Sequence, residues 1–323
     1  METTGIGGGG ATGGNLPRRL HAPSPRYGEK VIQGLLAFCA ILSVLTTTAI
    51  VLSLIGPTIG FFDVVPIGDF IFGTEWSPQF EPPSFGVLAI VAGTLNVALW
   101  AMLFAIPIGL ASAIYLSEYA KPRVRKTVKP ILEILAGIPT VAIGFFAATF
   151  ILPEIIQPLW PGELLGGAVG KPFMALAASL GIGLMVVPII ASISEDAMSA
   201  VPNGLREGAY AMGATKMEVA TKVVFPAALS GIVASVVLAI SRTVGETMIV
   251  LLAAGSTPQL TFNPVEPIQA MTAYIGVTAT GDVSTGSIDY KSVFAVGTVL
   301  FLMTLVMNMI SIRLVRRYRE VYE

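Results

Sequence analysis

The chain has 323 residues and a net charge of −1; 54% of it is hydrophobic and only 12% charged. Soluble domains carry about 25% charged residues, so half that fraction, with a mean hydropathy of +0.79, places the chain in a bilayer. Near-neutral charge gives no case for nucleic-acid binding. The single Cys39 permits no intramolecular disulfide or Cys-based metal cluster, and the single His21, in a polar tail, argues against a His-ligated metal or a His-based triad.

From the N-terminus, Met1–Asn15 is rich in Gly and Thr, and residues 1–29 read as a disordered cytoplasmic tail. The first apolar run is too long and starts too late for a cleavable signal peptide, so it reads as a signal anchor. Spanning takes roughly 20 apolar residues. Six segments qualify: Val31–Ile55, Phe85–Tyr115, Ile131–Leu152, Phe173–Ile193, Ser230–Ala254 and Ser292–Leu314. Pro107 predicts a tilt or kink in the second. The expected class is an all-α membrane protein of six transmembrane helices. Residues 30–84 hold the first helix and an outer loop, residues 85–315 a five-helix domain, and residues 316–323 a short tail.

Lys and Arg fix the orientation. Of the 19 basic residues, all but Lys171, Lys291 and the intramembrane Arg242 fall on one face, which puts both termini in the cytoplasm. The outer connections Gly56–Ser84, Pro153–Pro172 and Gly255–Lys291 are rich in Pro, Gly and acidic residues. They either cap the outer mouth or meet an external partner, or are plain solvated connections.

Two stretches carry chemistry. On the cytoplasmic side, residues 202–226 are too polar for lipid. Glu207, Ala209 and Ala211 favour a helix, Gly213 breaks it, and a second helical piece, Ala214–Val224, ends at Pro226. Read alone, this is an amphipathic knob or an interfacial helix. In the fifth span, Arg242 and Glu246 are four apart, hence on one helical face, where they can partly neutralise each other. Gly245 lets another helix or a substrate approach closely. A charge in hydrocarbon costs at least about 2.5–3.5 kcal/mol, so the pair is either a packing device or a functional site, and guanidinium suits oxyanions.

The knob resembles the EAA loop of binding-protein-dependent ABC importers, E-A-A-x3-G-x9-I-x-L-P. Glu207, Ala209, Gly213 and Pro226 match, Gly208 replaces the middle alanine, and Val223 and Phe225 stand for Ile and Leu. Arg242-Thr-Val-Gly245-Glu246-Thr247 is similar to the fifth-span signature of phosphate-importer permeases. Gly73-Thr-Glu75-Trp76-Ser-Pro78 resembles an outer-loop element of the PstC family, and Leu132-Glu133-Ile-Leu-Ala-Gly137-Ile-Pro139-Thr140 resembles that family's entry to the third span. Gly137 and Pro139 are expected to bend the helix there.

The resemblance implies a type I ABC importer permease of the bacterial cytoplasmic membrane, with no cofactor of its own. Its expected partners are a PstA-like permease, two PstB-like ATPases and a PstS-like external phosphate-binding protein. Arg242, Gly245, Glu246, Thr247, Thr140 and Glu133 become candidates for the substrate path; Glu207, Gly208, Ala209, Gly213, Val223, Phe225 and Pro226 become candidates for ATPase coupling. A permease for molybdate or sulfate, an ion-coupled secondary transporter, and a non-transporting scaffold or sensor are the alternatives. Gly166–Pro172 is not a Walker loop, because Leu165 and Pro172 occupy its required Gly and Ser/Thr positions.

Overall fold

The structure is a computed structural model that describes residues 27–159 and 170–317. The tail through Arg26 with His21, most of the Gly166–Pro172 stretch, and residues 318–323 lie outside the described residues. Internal contacts divide the chain into Met1–Leu52 and Ser53–Glu323. In the first unit the described residues belong to helix α1, Tyr27–Phe62. Its apolar side chains, such as Leu35, Phe38 and Val44, stand exposed between Gly28 and Leu52. A helix apolar all round is built for lipid or for another chain.

The regular elements described in the second unit are helices and one two-stranded hairpin. After the end of α1, its elements are α2 (Ile67–Phe72), β1 (Trp76–Ser77), β2 (Ser84–Phe85), α3 (Leu88–Ile114), α4 (Pro122–Ala136), α5 (Thr140–Phe146) and α6 (Ala175–Ser199). Then come α7 (Asn203–Ala211), α8 (Lys216–Ala227), α9 (Leu229–Val244), α10 (Met248–Ala253), α11 (Met271–Thr280) and α12 (Ile288–Arg317). Three stretches wind as π-helix: Tyr115–Tyr119 after α3, Ala147–Ile156 after α5, and Val219–Val224 inside α8.

The main core joins α3 to α6. Val97, Ala101, Met102 and Ala105 of α3 meet Ala178, Ile182, Met185 and Ile190 of α6, and Ile249 and Val250 of α10 close the cluster. Lipid offers no hydrophobic drive between helices, so small residues that allow close van der Waals contact replace it. At the outer end, Phe61, Phe70, Trp76, Phe85 and Tyr274 form a second core with edge-to-face rings; Trp76 and Tyr274 lie 4.9 Å apart, centroid to centroid. The hairpin pairs Trp76 with Phe85 and Ser77 with Ser84, and Glu75 O accepts Gly86 N–H at 2.8 Å. The Gly73–Pro78 element therefore stands on a structured hairpin.

The segment Gly255–Ala270 folds back into the protein. Val265 and Ile268 are fully buried. It and the end of α10 satisfy the orphan N–H groups that open α6: Met174 donates to Ala253 O at 2.9 Å, Ala175 to Glu266 O at 3.0 Å, and Leu176 to Pro264 O at 2.8 Å. A Cβ on Gly93 of α3 would lie 2.3 Å from Gln269 O, so backbone packs on backbone there. This segment is therefore not a plain solvated connection.

Three sequence expectations are corrected. The third span does not begin at Ile131: α4 ends at Ala136, Gly137 forms its C-cap, and the span is Thr140–Leu159. Residues 131–136 continue an amphipathic helix with four basic residues, which periodicity alone joined to the apolar run behind it. The fifth span is not one helix, since α9 stops at Val244 and α10 starts at Met248. Nor does Pro226 end the second arm of the knob. It sits inside the helical turn Phe225–Ala227, and the chain bends by 73° between Ala227 and Leu229. The preceding π turn changes the hydrogen-bond register, which removes the demand for a donor at the proline.

Candidate functional site

The interruption at Gly245–Thr247 is held by side chains on both sides. Glu246 is buried, and its Oε1 accepts the N–H of Met248 at 3.1 Å and of Ile249 at 3.4 Å. The carboxylate thereby caps α10, with its charge at the positive end of that helix. The carbonyl of Glu246, left without a helical partner, accepts the Thr272 hydroxyl of α11 at 2.7 Å. On the other side, Gly144 of α5 packs on α10: a Cβ there would lie 3.0 Å from Ile249 Cα and 3.1 Å from Met248 O.

Arg242, in the last turn of α9, points elsewhere. Its Nη2 lies 3.7 Å from the sulfur of Met185 in α6, and the residue is exposed. Among the described residues it forms no ion pair. The expected neutralisation of Arg242 by Glu246 is thus corrected. The four-residue spacing places two side chains on one face only while the helix continues, and this helix ends between them. Gly245 likewise meets no other helix among the described residues. A Cβ there would find only Ser241 O at 3.7 Å and Arg242 O at 3.9 Å.

Of the remaining path candidates, half-buried Thr247 precedes α10, with its methyl carbon 3.3 Å from where a Cβ on Gly276 would stand. Thr140 opens α5, the helix that packs on α10. Glu133 is apart from this group. It lies exposed on α4, in the wall of a groove of about 570 Å³ with Arg125, Lys126 and Lys129.

The cytoplasmic knob has the two-helix form expected of it. Gly213 takes φ +86 between α7 and α8, a conformation that L side chains rarely adopt. Thr215 then starts α8 with a capping box: Glu218 N–H donates to its hydroxyl at 3.4 Å, and the Glu218 carboxylate accepts Thr215 N–H at 3.0 Å. Ala209, Val219, Val224 and Ala228 are buried against Ala113, Met198 and Val201, with Val223 and Phe225 packed around them. Glu207, Gly208 and Pro226 are exposed, and so are Tyr210, Met212 at 85% and Met217 at 58%. The knob therefore presents an apolar surface with a carboxylate beside it, the composition of a protein-docking face.

Sequence reading passed over the ion pairs beneath this surface. Arg206 joins Glu118 at 3.1 Å, with side chains only 15% and 5% exposed. Glu195, fully buried near the end of α6, is held by Arg125, by Lys129 at 3.0 Å and by the Ser199 hydroxyl at 2.8 Å. Lys129 also bonds Asp196. Partial burial pulls the Lys129 ammonium pKa down, but hydrogen bonds to Asp196 and Glu195 and their charges outweigh it and leave the pKa raised. The one signal in the sequence was Glu195-Asp196 at the end of an apolar run.

The binding-protein-dependent transport system inner membrane component family matches residues 105–320. A probable ABC transporter permease protein, YqgH, of Bacillus subtilis is 34% identical over 253 residues, 78% of this chain and 77% of that protein. The phosphate transport system permease protein PstC of Pasteurella multocida is 31% identical over 323 residues, 94% of this chain and 98% of the relative. Among solved structures, a chain of a bacterial ABC transporter involved in the import of the acidic polysaccharide alginate superposes with a TM-score of 0.62 at 17% identity. That match covers 92% of this chain and all of the other. At that identity the likeness carries the fold alone.

Proposed function

Because the chain belongs to the binding-protein-dependent inner membrane permeases, and within them to the phosphate-transport permeases of the PstC type, we propose that it forms one half of an ATP-driven importer's path for inorganic phosphate. A PstA-like permease completes the path, two PstB-like ATPases dock on the knob, and a PstS-like binding protein delivers the substrate. The chain itself is a transport subunit, and hydrolysis belongs to the ATPase.

The observation that carries this reading is an exposed guanidinium in an apolar span with no carboxylate among the described residues to neutralise it. Such a group is expensive in lipid and is tolerated where it faces a water-filled path. Its forked donors match the oxygens of phosphate. Glu246 holds the helix break from which Arg242 projects, so its part is to position the path; Gly245, Thr247 and Thr140 line the same region. Glu133 is assigned to the cytoplasmic entrance of α5.

The coupling element comprises Glu207, Gly208, Gly213 and Pro226 at its surface, with Ala209, Val223 and Phe225 packed beneath them to hold its shape. Residues 1–29 and 316–323 are cytoplasmic tails flanking the first helix with its outer loop and the permease domain at 85–315. Closure of the ATPase pair would move the knob, and the spans attached to it would alternate access to the midplane.

The test is phosphate-stimulated ATPase activity and phosphate uptake in liposomes containing all four kinds of subunit. Wild type should need both ATP and the binding protein, and Arg242→Gln should assemble but lose uptake. Uptake driven by a proton gradient without the ATPase, or full uptake by Arg242→Gln, would overturn the reading.

A further inference from the structure

Beside its apolar packing, the knob is fastened to the rest of the protein by a cluster of polar contacts. Arg206 of α7 donates from Nε and Nη2 to Glu118 Oε1, at 3.3 and 3.1 Å, and from Nη2 to Met198 O at 2.7 Å. Its Nη1 reaches Val201 O and Asn203 Oδ1. One guanidinium with five N–H donors thus ties α7 to the end of α3 and to the end of α6. The second arm reaches the same spot. Lys216 Nζ sits 5.0 Å over the ring of Tyr119, whose hydroxyl lies 3.6 Å from the sulfur of Met217.

Glu118 and Tyr119 both belong to the π turn Tyr115–Tyr119, where Leu116 is buried and Ser117 donates to Glu118 at 3.0 Å. π turns are rare and frequently occur at functional sites. This one continues α3, a 27-residue helix with Pro107 within it, whose other end meets the outer segment through Asn96 and Thr261 O at 3.0 Å.

We propose that the π turn Tyr115–Tyr119 is the socket that receives both arms of the knob, and that the part-buried Arg206–Glu118 pair transmits the knob's displacement to the second span. This rests on the importer reading above. Arg206 and Glu118 are positioning residues and touch neither phosphate nor ATP. The chemistry is specific. Glutamine at 118 still accepts a hydrogen bond but carries no charge, and lysine at 206 keeps the charge but cannot hold Glu118, Met198 O and Val201 O together.

The test uses the full complex in liposomes, with Glu118→Gln, Arg206→Lys and the double variant. Each should co-purify with its ATPase and hydrolyse ATP within two-fold of wild type, while phosphate imported per ATP falls at least ten-fold. The double variant should be no worse than either single one. Spin labels on Lys121→Cys and Thr221→Cys, in a Cys39→Ala background, give a readout that needs no cargo. Their separation should stay fixed when ATP binds to wild type and should change or broaden in Glu118→Gln.

Wild-type phosphate-to-ATP ratios in both single variants would overturn the proposal, as would parallel loss of assembly, ATPase and uptake, which marks a purely structural pair. A wild-type complex that imports no phosphate, yet keeps the label distance fixed on ATP binding, would sink the phosphate reading and leave the socket standing.

Discussion

Glu246 directs its carboxylate onto the N–H of Met248, 3.1 Å away, and Arg242 has no acidic partner among the described residues. The two charges in the fifth span are therefore separate devices. One holds a helix start, and the other, at a helix end, meets the sulfur of Met185.

That separation predicts how Glu246 responds to substitution. Glutamine keeps an oxygen that accepts the Met248 and Ile249 N–H groups, so Glu246→Gln should unfold within a degree or two of wild type. Alanine removes the cap, and Glu246→Ala should lose about 1 kcal/mol. Thermal unfolding of the purified complex in detergent compares them. Equal loss in both variants would return Glu246 to an electrostatic role.

Arg242→Lys tests geometry rather than charge. A lysine reaches the same region with a point charge in place of a fork, and one charge-assisted hydrogen bond is worth about 1.5–3 kcal/mol. The phosphate concentration for half-maximal uptake should rise on the order of ten-fold or more, with assembly intact. Unchanged uptake kinetics would move the anion contact to another residue.

Two glycines of the knob should behave oppositely, although a Cβ meets nothing within 4 Å at either. Gly213 has φ +86, so Gly213→Ala should cost about 1–2 kcal/mol and weaken co-purification of the ATPase. Gly208 lies in the helical run of α7, and Gly208→Ala, which restores the family's alanine, should be neutral or stabilising by up to about 1 kcal/mol. Pull-down yields at matched expression decide between them.

The Glu195 cluster carries a pH dependence. Lys129 has a folded-state pKa above its ordinary 10.5. Its contribution is fully present below 10.5 and is lost as the pH rises through the higher folded value. Unfolding temperatures of wild type should hold from neutral pH to about 10, with Lys129's share falling away only at more alkaline pH. Lys129→Met should lack that alkaline component and be less stable at neutral pH. A wild type and a variant with parallel profiles would show that Lys129 contributes no linkage.

Much of this protein was legible in its residues. Apolar runs of membrane length, the one-sided placement of Lys and Arg, and the spacing from Glu207 to Pro226 gave the class, the sidedness and the two-helix knob. Those features are local, and lipid enforces them, because every backbone group crossing the bilayer must find its partner within its own helix. The same logic located the break at Gly213, where only backbone conformation is at stake.

Tertiary structure decided what depends on neighbours distant in the chain. Hydropathy reads Ser230–Ala254 as one span. The interruption at Gly245–Thr247 exists because Thr272 of α11 takes the freed carbonyl and the Glu246 side chain takes the freed N–H groups. Ile131–Ala136 looked like the start of a span, but it ends a helix anchored through Arg125 and Lys129 to Glu195, 66 residues beyond Lys129. The partner of Arg206 lies 88 residues before it. Sequence alone thus determined that the chain is a multi-span helical membrane protein and roughly where its apolar segments lie. Only folding decided which charges meet, because a buried ion pair depends on distances between helices that no local pattern encodes.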